Sequence, residues 1–135
     1  MPVTRMEHLL VLTDDIDATR DFYREALGLE VGERPPLEFA GYWLYAGGVP
    51  CLHVADREEF TEHSRTTGLP ASPEAVDHVA FNAVGYDQVV ARLESSGIEA
   101  ARNTIPGVGL RQLFLTDPNG LKIEINVPPE EKEPL

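Results

Sequence analysis

VDHVAF, residues 76–81, is an apolar run of strand length interrupted by one histidine, and MEHLLVL at residues 6–12 repeats its pattern. In both, an acidic residue stands immediately ahead of the histidine. His8 and His78 lie 70 residues apart, and so do Asp17 and Asp87, each near the start of an amphipathic helical stretch. An offset shared by a strand and by the helix after it reads as an internal duplication, and that reading decides the fold.

Outward from the first copy, residues 5–12 form a strand that ends at the polar TDD turn. Thr13 or Asp14 then caps a helix from Asp15 to Leu27, whose Ile16, Thr19, Phe22, Tyr23 and Leu27 share one face. Gly28 supplies a left-handed stop. LEVGER, PPLEFAGYWLYAGG and VPCLHVAD follow as three strand segments separated by Gly and Pro. The second copy runs in the same order: VDHVAFNAV, the helix YDQVVARLESS with its Val89, Val90 and Leu93 face, a stop at Gly97, then IEAARN, LRQLFLT and LKIEINV. The expected fold is α+β, with two βαβββ modules forming curled mixed sheets. Module one spans about 3–56 and module two about 76–127. Between them, about 57–75, an exposed helical turn leads into a linker rich in Ser, Thr, Gly and Pro, and residues 128–135 form a charged, proline-broken tail.

A chain of 135 residues suits one compact domain. With 23 acidic residues against 11 basic ones and a formal charge of −12, affinity built on neutralising phosphates is excluded, so neither nucleic acid nor an anionic membrane surface is an expected partner. No stretch has the apolar length of a membrane span, and the first residues lack the pattern of a secretory leader, so a cytoplasmic location is expected. Cys51 stands alone, which rules out an internal disulfide and reads as a small buried hydrophobe.

Strand alternation assigns the polar residues to faces. Lys122, Glu124 and Asn126 share one side of the last strand, while Ile123, Ile125 and Val127 share the side that packs beneath a helix. By the same alternation His53 opposes Leu52 and Val54, His78 opposes Val79 and Phe81, and His8 opposes Leu9 and Val11. The 70-residue offset carries His53 to position 123, next to Glu124. The helices differ by one residue, since Gly28 and Gly97 are 69 apart, so His53 and Glu124 are counterparts. A curled sheet with its helix on the convex side turns these residues toward the concave side, where His8, His53, His78 and Glu124 form a candidate ligand set. Imidazoles with one carboxylate suit Zn, Ni, Mn, Fe or Co, whereas Ca and Mg favour more oxygen donors. His63, in the polar stretch after module one, reads as a solvated surface residue, and Asp117-Pro118-Asn119-Gly120 reads as a tight turn. Tyr42, Trp43 and Tyr45 are open to two readings, an aromatic substrate wall or core packing.

The segments EHLLVLTDDIDATRDFYREALGLEV, VDHVAF and LFLTDPNGLKIEINV together resemble the vicinal oxygen chelate superfamily, and the resemblance covers nearly the whole chain. That superfamily includes glyoxalase I, methylmalonyl-CoA epimerase, extradiol dioxygenases, fosfomycin resistance proteins and bleomycin-resistance binding proteins. The resemblance implies paired βαβββ modules, a divalent ion held by His8, His78 and Glu124, and a fourth, variable position at His53. In glyoxalase I and the epimerases that position is usually Glu or Gln, and a carboxylate near the metal is the base. Here His53 either completes the ligand set or moves the proton, which makes His53 and Glu124 the candidate catalytic groups. The expected activity is metal-dependent, of glyoxalase type (lyase or isomerase), on a small oxygenated molecule or its thiol adduct. Arg111 or Gln112, whichever faces the cleft, together with Phe114 and Trp43, would contact substrate. An iron-dependent extradiol dioxygenase is the first alternative, weakened because Phe114 stands where that group carries Tyr three residues before Asp-Pro. A metal-free binding protein of bleomycin-resistance type is the second. A homodimer is expected, because curled sheets leave edges to cover.

Overall fold

The computed structural model describes residues 5–68, 78–107 and 109–129. The elements run β1 Leu9–Thr13, α1 Ile16–Leu27, β2 Glu30–Gly32, β3 Gly41–Ala46, β4 Val49–Asp56, α2 Arg57–Thr67, β5 His78–Asn82, α3 Tyr86–Ser95, β6 Ala101–Ile105, β7 Leu110–Thr116 and β8 Lys122–Val127. They form two four-stranded sheets, ordered β1-β4-β3-β2 and β5-β8-β7-β6, with the same connectivity. In each sheet the first and last strands pair in parallel and the other neighbours are antiparallel. The two βαβββ modules of the duplication are therefore present. Two compact units result: one runs through Arg24 and resumes at Gly28, and the other takes Glu25–Leu27 with the described residues from His78 onward. Among the described residues no helix is long and apolar enough to cross a membrane.

Local chemistry explains where elements start. Asp15 caps α1, with its carboxylate accepting the Ala18 N–H at 2.9 Å. Neither Thr13 nor Asp14 takes that role, because Thr13 ends β1 and its hydroxyl instead accepts the Asp15 N–H at 3.0 Å. The same hydroxyl accepts the Thr19 Oγ–H at 2.9 Å, which lets Thr19 sit fully buried on a face otherwise apolar. Gly28 ends the helix at φ 71°, and its N–H donates to the Arg24 carbonyl. Strand β1 begins at Leu9, so His8 precedes the strand instead of lying within it. The segment after β4 departs further from expectation: α2 is an 11-residue helix capped by Asp56, not the single turn that the residue pattern predicts. The expected linker beyond Gly68 and the tail beyond Pro129 lie outside the described residues.

Each module has its own core. In unit one Tyr23, Leu44, Leu52 and Val54 are almost wholly enclosed, and in unit two so are Leu93, Leu113, Ile123, Ile125 and Val127. Each such side chain contributes about 1.5–3 kcal/mol by leaving water. Tyr42 shows which face of the first sheet carries α1. It shares the Leu44 side of β3, its hydroxyl donates to Asp17 at 2.6 Å, and Arg20 donates to it at 2.8 Å. His53, one residue from Leu52 and Val54, therefore faces away from α1.

Strand register resolves the duplication. Leu10 pairs with His53, and Ala80, 70 residues after Leu10, pairs with Glu124. Trp43 pairs with His53, and Phe114 pairs with Glu124. His53 and Glu124 thus occupy one position in the two sheets, as Trp43 and Phe114 occupy another. The strand β8 that bears Glu124 is entered through the Asp117–Gly120 turn. Asp117 is 4% exposed, and its Oδ1 accepts the Asn119 and Leu121 N–H groups, each at 2.8 Å, while Gly120 adopts φ 86°. Asp117→Ala strips two backbone donors of a charged acceptor, and urea denaturation should show a loss of about 2–3 kcal/mol. A loss under about 0.5 kcal/mol would show that the turn forms without the carboxylate.

Candidate metal centre

The four candidate ligands fall into two pairs, one in each unit. In unit two His78 Nε2 stands 3.4 Å from Glu124 Oε1. The other carboxylate oxygen, Oε2, accepts from Gln112 Nε2 at 3.2 Å, and that amide also donates to Asn126 Oδ1 at 3.1 Å and accepts from Asn103 Nδ2 at 2.8 Å. Both kinds of hydrogen-bonding atom on Gln112 are engaged, which explains how an amide only 8% exposed is tolerated. The network fixes the Glu124 plane and leaves Oε1 on the His78 side. Two donors bound at about 2.1 Å to one tetrahedral ion lie about 3.4 Å apart, so the spacing suits shared ligation as well as an ion pair.

In unit one His8 and His53 stack face to face, with ring centroids 3.8 Å apart and planes 13° from parallel. Trp43 covers the opposite face of His53 at 4.0 Å and 10°. A ring nitrogen binds a metal in the plane of its ring, and two nearly parallel planes 3.8 Å apart meet at no common point within bonding distance. His8 and His53 cannot both ligate one ion as they stand. His53 is the more confined, sandwiched between two rings and with Nε2 3.1 Å from the Pro50 carbonyl. A carbonyl only accepts, so Nε2 carries the hydrogen and Nδ1 keeps the lone pair. His8 is exposed, with Nδ1 2.9 Å from Glu7 Oε1, the arrangement in which a second shell orients an imidazole and leaves Nε2 for an ion. Among the described residues no group of three or more His, Cys, Asp or Glu side chains is assembled. The donors fit a divalent ion in kind, and in unit two also in spacing.

The structure separates the two residues offered as an anion anchor. Gln112 faces the Glu124 side, but its amide is committed to holding Glu124. Arg111 faces the other way, pairing with Val127 on the helix side, and its guanidinium lies 4.0 Å over the Tyr86 ring at the start of α3. Alternation forces this, because adjacent strand residues take opposite faces. Phe114 stays on the Glu124 face as its cross-strand partner, and Trp43 holds the equivalent place beside His53.

His63 also departs from expectation. The three turns of α2 put Phe60 and His63 on one face, where Phe39 packs edge-on to Phe60 at 4.9 Å and lies 5.3 Å from the His63 ring. His63 is therefore half-buried, not solvated. Three residues that sequence reading passed over, Arg34, Phe39 and Phe60, join Trp43, His53 and His8 in lining a cavity of about 250 Å³. The only signal for them was aromatic residues flanking a cation across two separate elements, which no local period marks.

The chain matches the family described as the Glyoxalase/Bleomycin resistance protein/Dioxygenase superfamily over residues 5–125. It is 31% identical over 126 residues to a protein of Arabidopsis thaliana named Glyoxylase I 4, covering 91% of this chain and 70% of that one. In three dimensions it is similar to a lactoylglutathione lyase from Agrobacterium tumefaciens, with a TM-score of 0.73, 22% identity and coverage of 93% and 95% of the two chains. It is also similar to TnmS3, an antibiotic binding protein from Streptomyces sp. CB03234, with a TM-score of 0.69, 22% identity and coverage of 96% and 99%. At these identities the structural likenesses speak to the fold.

Burial first, and next the neighbouring His8, hold the His53 imidazole below its ordinary range. Its unfolded counterpart, near pH 6.5, takes up a proton more readily than the folded residue does. The stabilisation tied to neutral His53 is complete above about pH 6.5 and is lost as pH falls through the lower folded value. In chelator-treated protein, urea denaturation should therefore show a steeper fall in stability from pH 7 to pH 5 for the native chain than for His53→Phe, which keeps a ring in the stack and cannot titrate. Equal slopes would show that His53 protonates as freely folded as unfolded.

Proposed function

The chain belongs to the glyoxalase/bleomycin resistance protein/dioxygenase superfamily, and from that premise we propose that it is a metal-dependent enzyme of glyoxalase type. Its substrate is a small oxygenated molecule, or the thiol adduct of one, and its reaction moves a proton or adds a nucleophile next to a carbonyl. The observation that carries this reading is the His78–Glu124 pair, 3.4 Å apart, with the second carboxylate oxygen restrained by Gln112. A structural ion pair needs no such restraint on a half-buried carboxylate. A ligand does, because its affinity depends on orientation.

In this reading His8, His78 and Glu124 hold the ion. When bound, the ion supplies Lewis acidity toward two adjacent substrate oxygens. His53 is the proton carrier: burial keeps it neutral, the Pro50 carbonyl fixes its Nε2 hydrogen, and Nδ1 is the atom that accepts. Trp43 and His8 hold the imidazole plane so that the accepting lone pair keeps one direction. Phe114, opposite Glu124, offers a ring without a hydrogen-bond donor, which disfavours the dioxygenase alternative.

Elemental analysis of protein purified without an affinity tag or added metal tests the proposal. About one Zn, Ni, Mn or Fe per chain is expected, absent from His8→Ala and Glu124→Ala. His53→Ala should retain the ion and lose turnover, which separates a proton carrier from a ligand. Gln112→Leu should weaken the ion about 10–100-fold in competition with a chelator, through disorientation of Glu124. Protein that takes up no metal on titration would leave a ligand-binding module in place of an enzyme.

A further inference from the structure

Arg34 differs from the arginines that stand in ion pairs. Arg20, Arg24, Arg57, Arg65 and Arg102 each stand against a carboxylate, as expected in a chain with about twice as many acids as bases. Arg34 has no such counter-ion among the described residues. It is half-buried, one of its five N–H groups donates to the Phe39 carbonyl at 2.6 Å, and its Nε is enclosed without any hydrogen-bond partner. Its guanidinium carbon lies 5.4 Å over the Phe39 ring, which holds the plane in place. A guanidinium does not lose its charge, so one with its Nε enclosed and unpartnered and no counter-ion among the described residues is stabilised when an anion arrives.

The cavity beside it shows what kind of anion. Its walls are Leu37, Phe39, Phe60 and Trp43, and its floor reaches His53 and His8. At about 250 Å³ it has the space of about eight waters, enough for one ring or a branched chain of similar bulk. Carboxylate oxygens match the planar fork that a fixed guanidinium presents, and an aromatic or branched aliphatic body matches the walls. We propose that this cavity is a binding subsite for a small organic carboxylate with an apolar body, with Arg34 taking the carboxylate. Its role as the substrate pocket rests on the glyoxalase-type reading, since His53 and His8 form one wall; the binding itself does not.

Trp43 is the only tryptophan of the chain and lines the cavity, so its fluorescence reports occupancy directly. The full chain is titrated with phenylacetate, and with phenylacetamide as the uncharged analogue of the same shape. Phenylacetate should change the Trp43 emission saturably and bind about tenfold or more tighter than the amide. Arg34→Gln should remove that preference, and Phe60→Ala should weaken acid and amide alike. Circular dichroism melts establish that both variants fold, and Arg34→Lys, which keeps the charge and loses the fork, should retain part of the preference. Chelator treatment should leave the phenylacetate affinity unchanged, which assigns the carboxylate to Arg34 and not to an ion. Equal affinity for acid and amide, an unchanged preference in Arg34→Gln, or loss of phenylacetate binding on chelator treatment would each overturn the subsite. Absence of metal from the purified protein would overturn the enzyme reading while leaving this titration as it is.

Discussion

In each module the first strand runs parallel to the last, and the register of that pair determines where every candidate functional atom lies. Leu10 beside His53 and Ala80 beside Glu124 put the two candidate positions on the sheet face away from the helix. The opposite face is sealed by Leu52 and Val54 in one module and by Ile123 and Ile125 in the other. A slip of one residue in either pairing would expose those side chains and bury a histidine or a glutamate beneath a helix. Apolar burial therefore holds the polar face in place, with no interaction of the polar residues required.

The same position carries different chemistry in the two modules, and the neighbouring strand supplies the reason. Across from Asn126 stands Gln112, whose amide ties Glu124 into a polar network. The equivalent pair in module one is Gly41 with Ala55, which has no polar side chain to offer. Nor is there room for one, because a Cβ on Gly41 would come within 2.0 Å of the Val54 carbonyl oxygen. His53 is therefore positioned by stacking between Trp43 and His8, where Glu124 is positioned by hydrogen bonds. Hydrogen bonds fix the direction of one oxygen, as the proposed ligand role requires. Stacking fixes a ring plane while leaving Nδ1 open for the proposed proton transfer, with Nε2 held by the Pro50 carbonyl.

Electrostatics give the acidic chain a division of labour. Most arginines sit beside carboxylates at the surface, where each pair contributes little and is screened. Arg34 is held by a carbonyl and an aromatic face, and that makes it the one place in unit one where a cation faces an apolar cavity unneutralised among the described residues.

The linear order of residues determined the duplication, the two βαβββ modules, the turn at Asp117–Gly120 and the candidates His8, His78 and Glu124, because each is written in a local period or a constant offset. It also placed Gln112 and Arg111 on opposite faces without saying which was which. The tertiary structure decided that, through the pairing of Gln112 with Asn126 and of Arg111 with Val127. It also decided the stacking of His53, the true length of α2 and the gathering of Arg34, Phe39 and Phe60 around one cavity. These depend on contacts between segments far apart in the chain, where backbone register and side-chain packing set distances that no local spacing encodes.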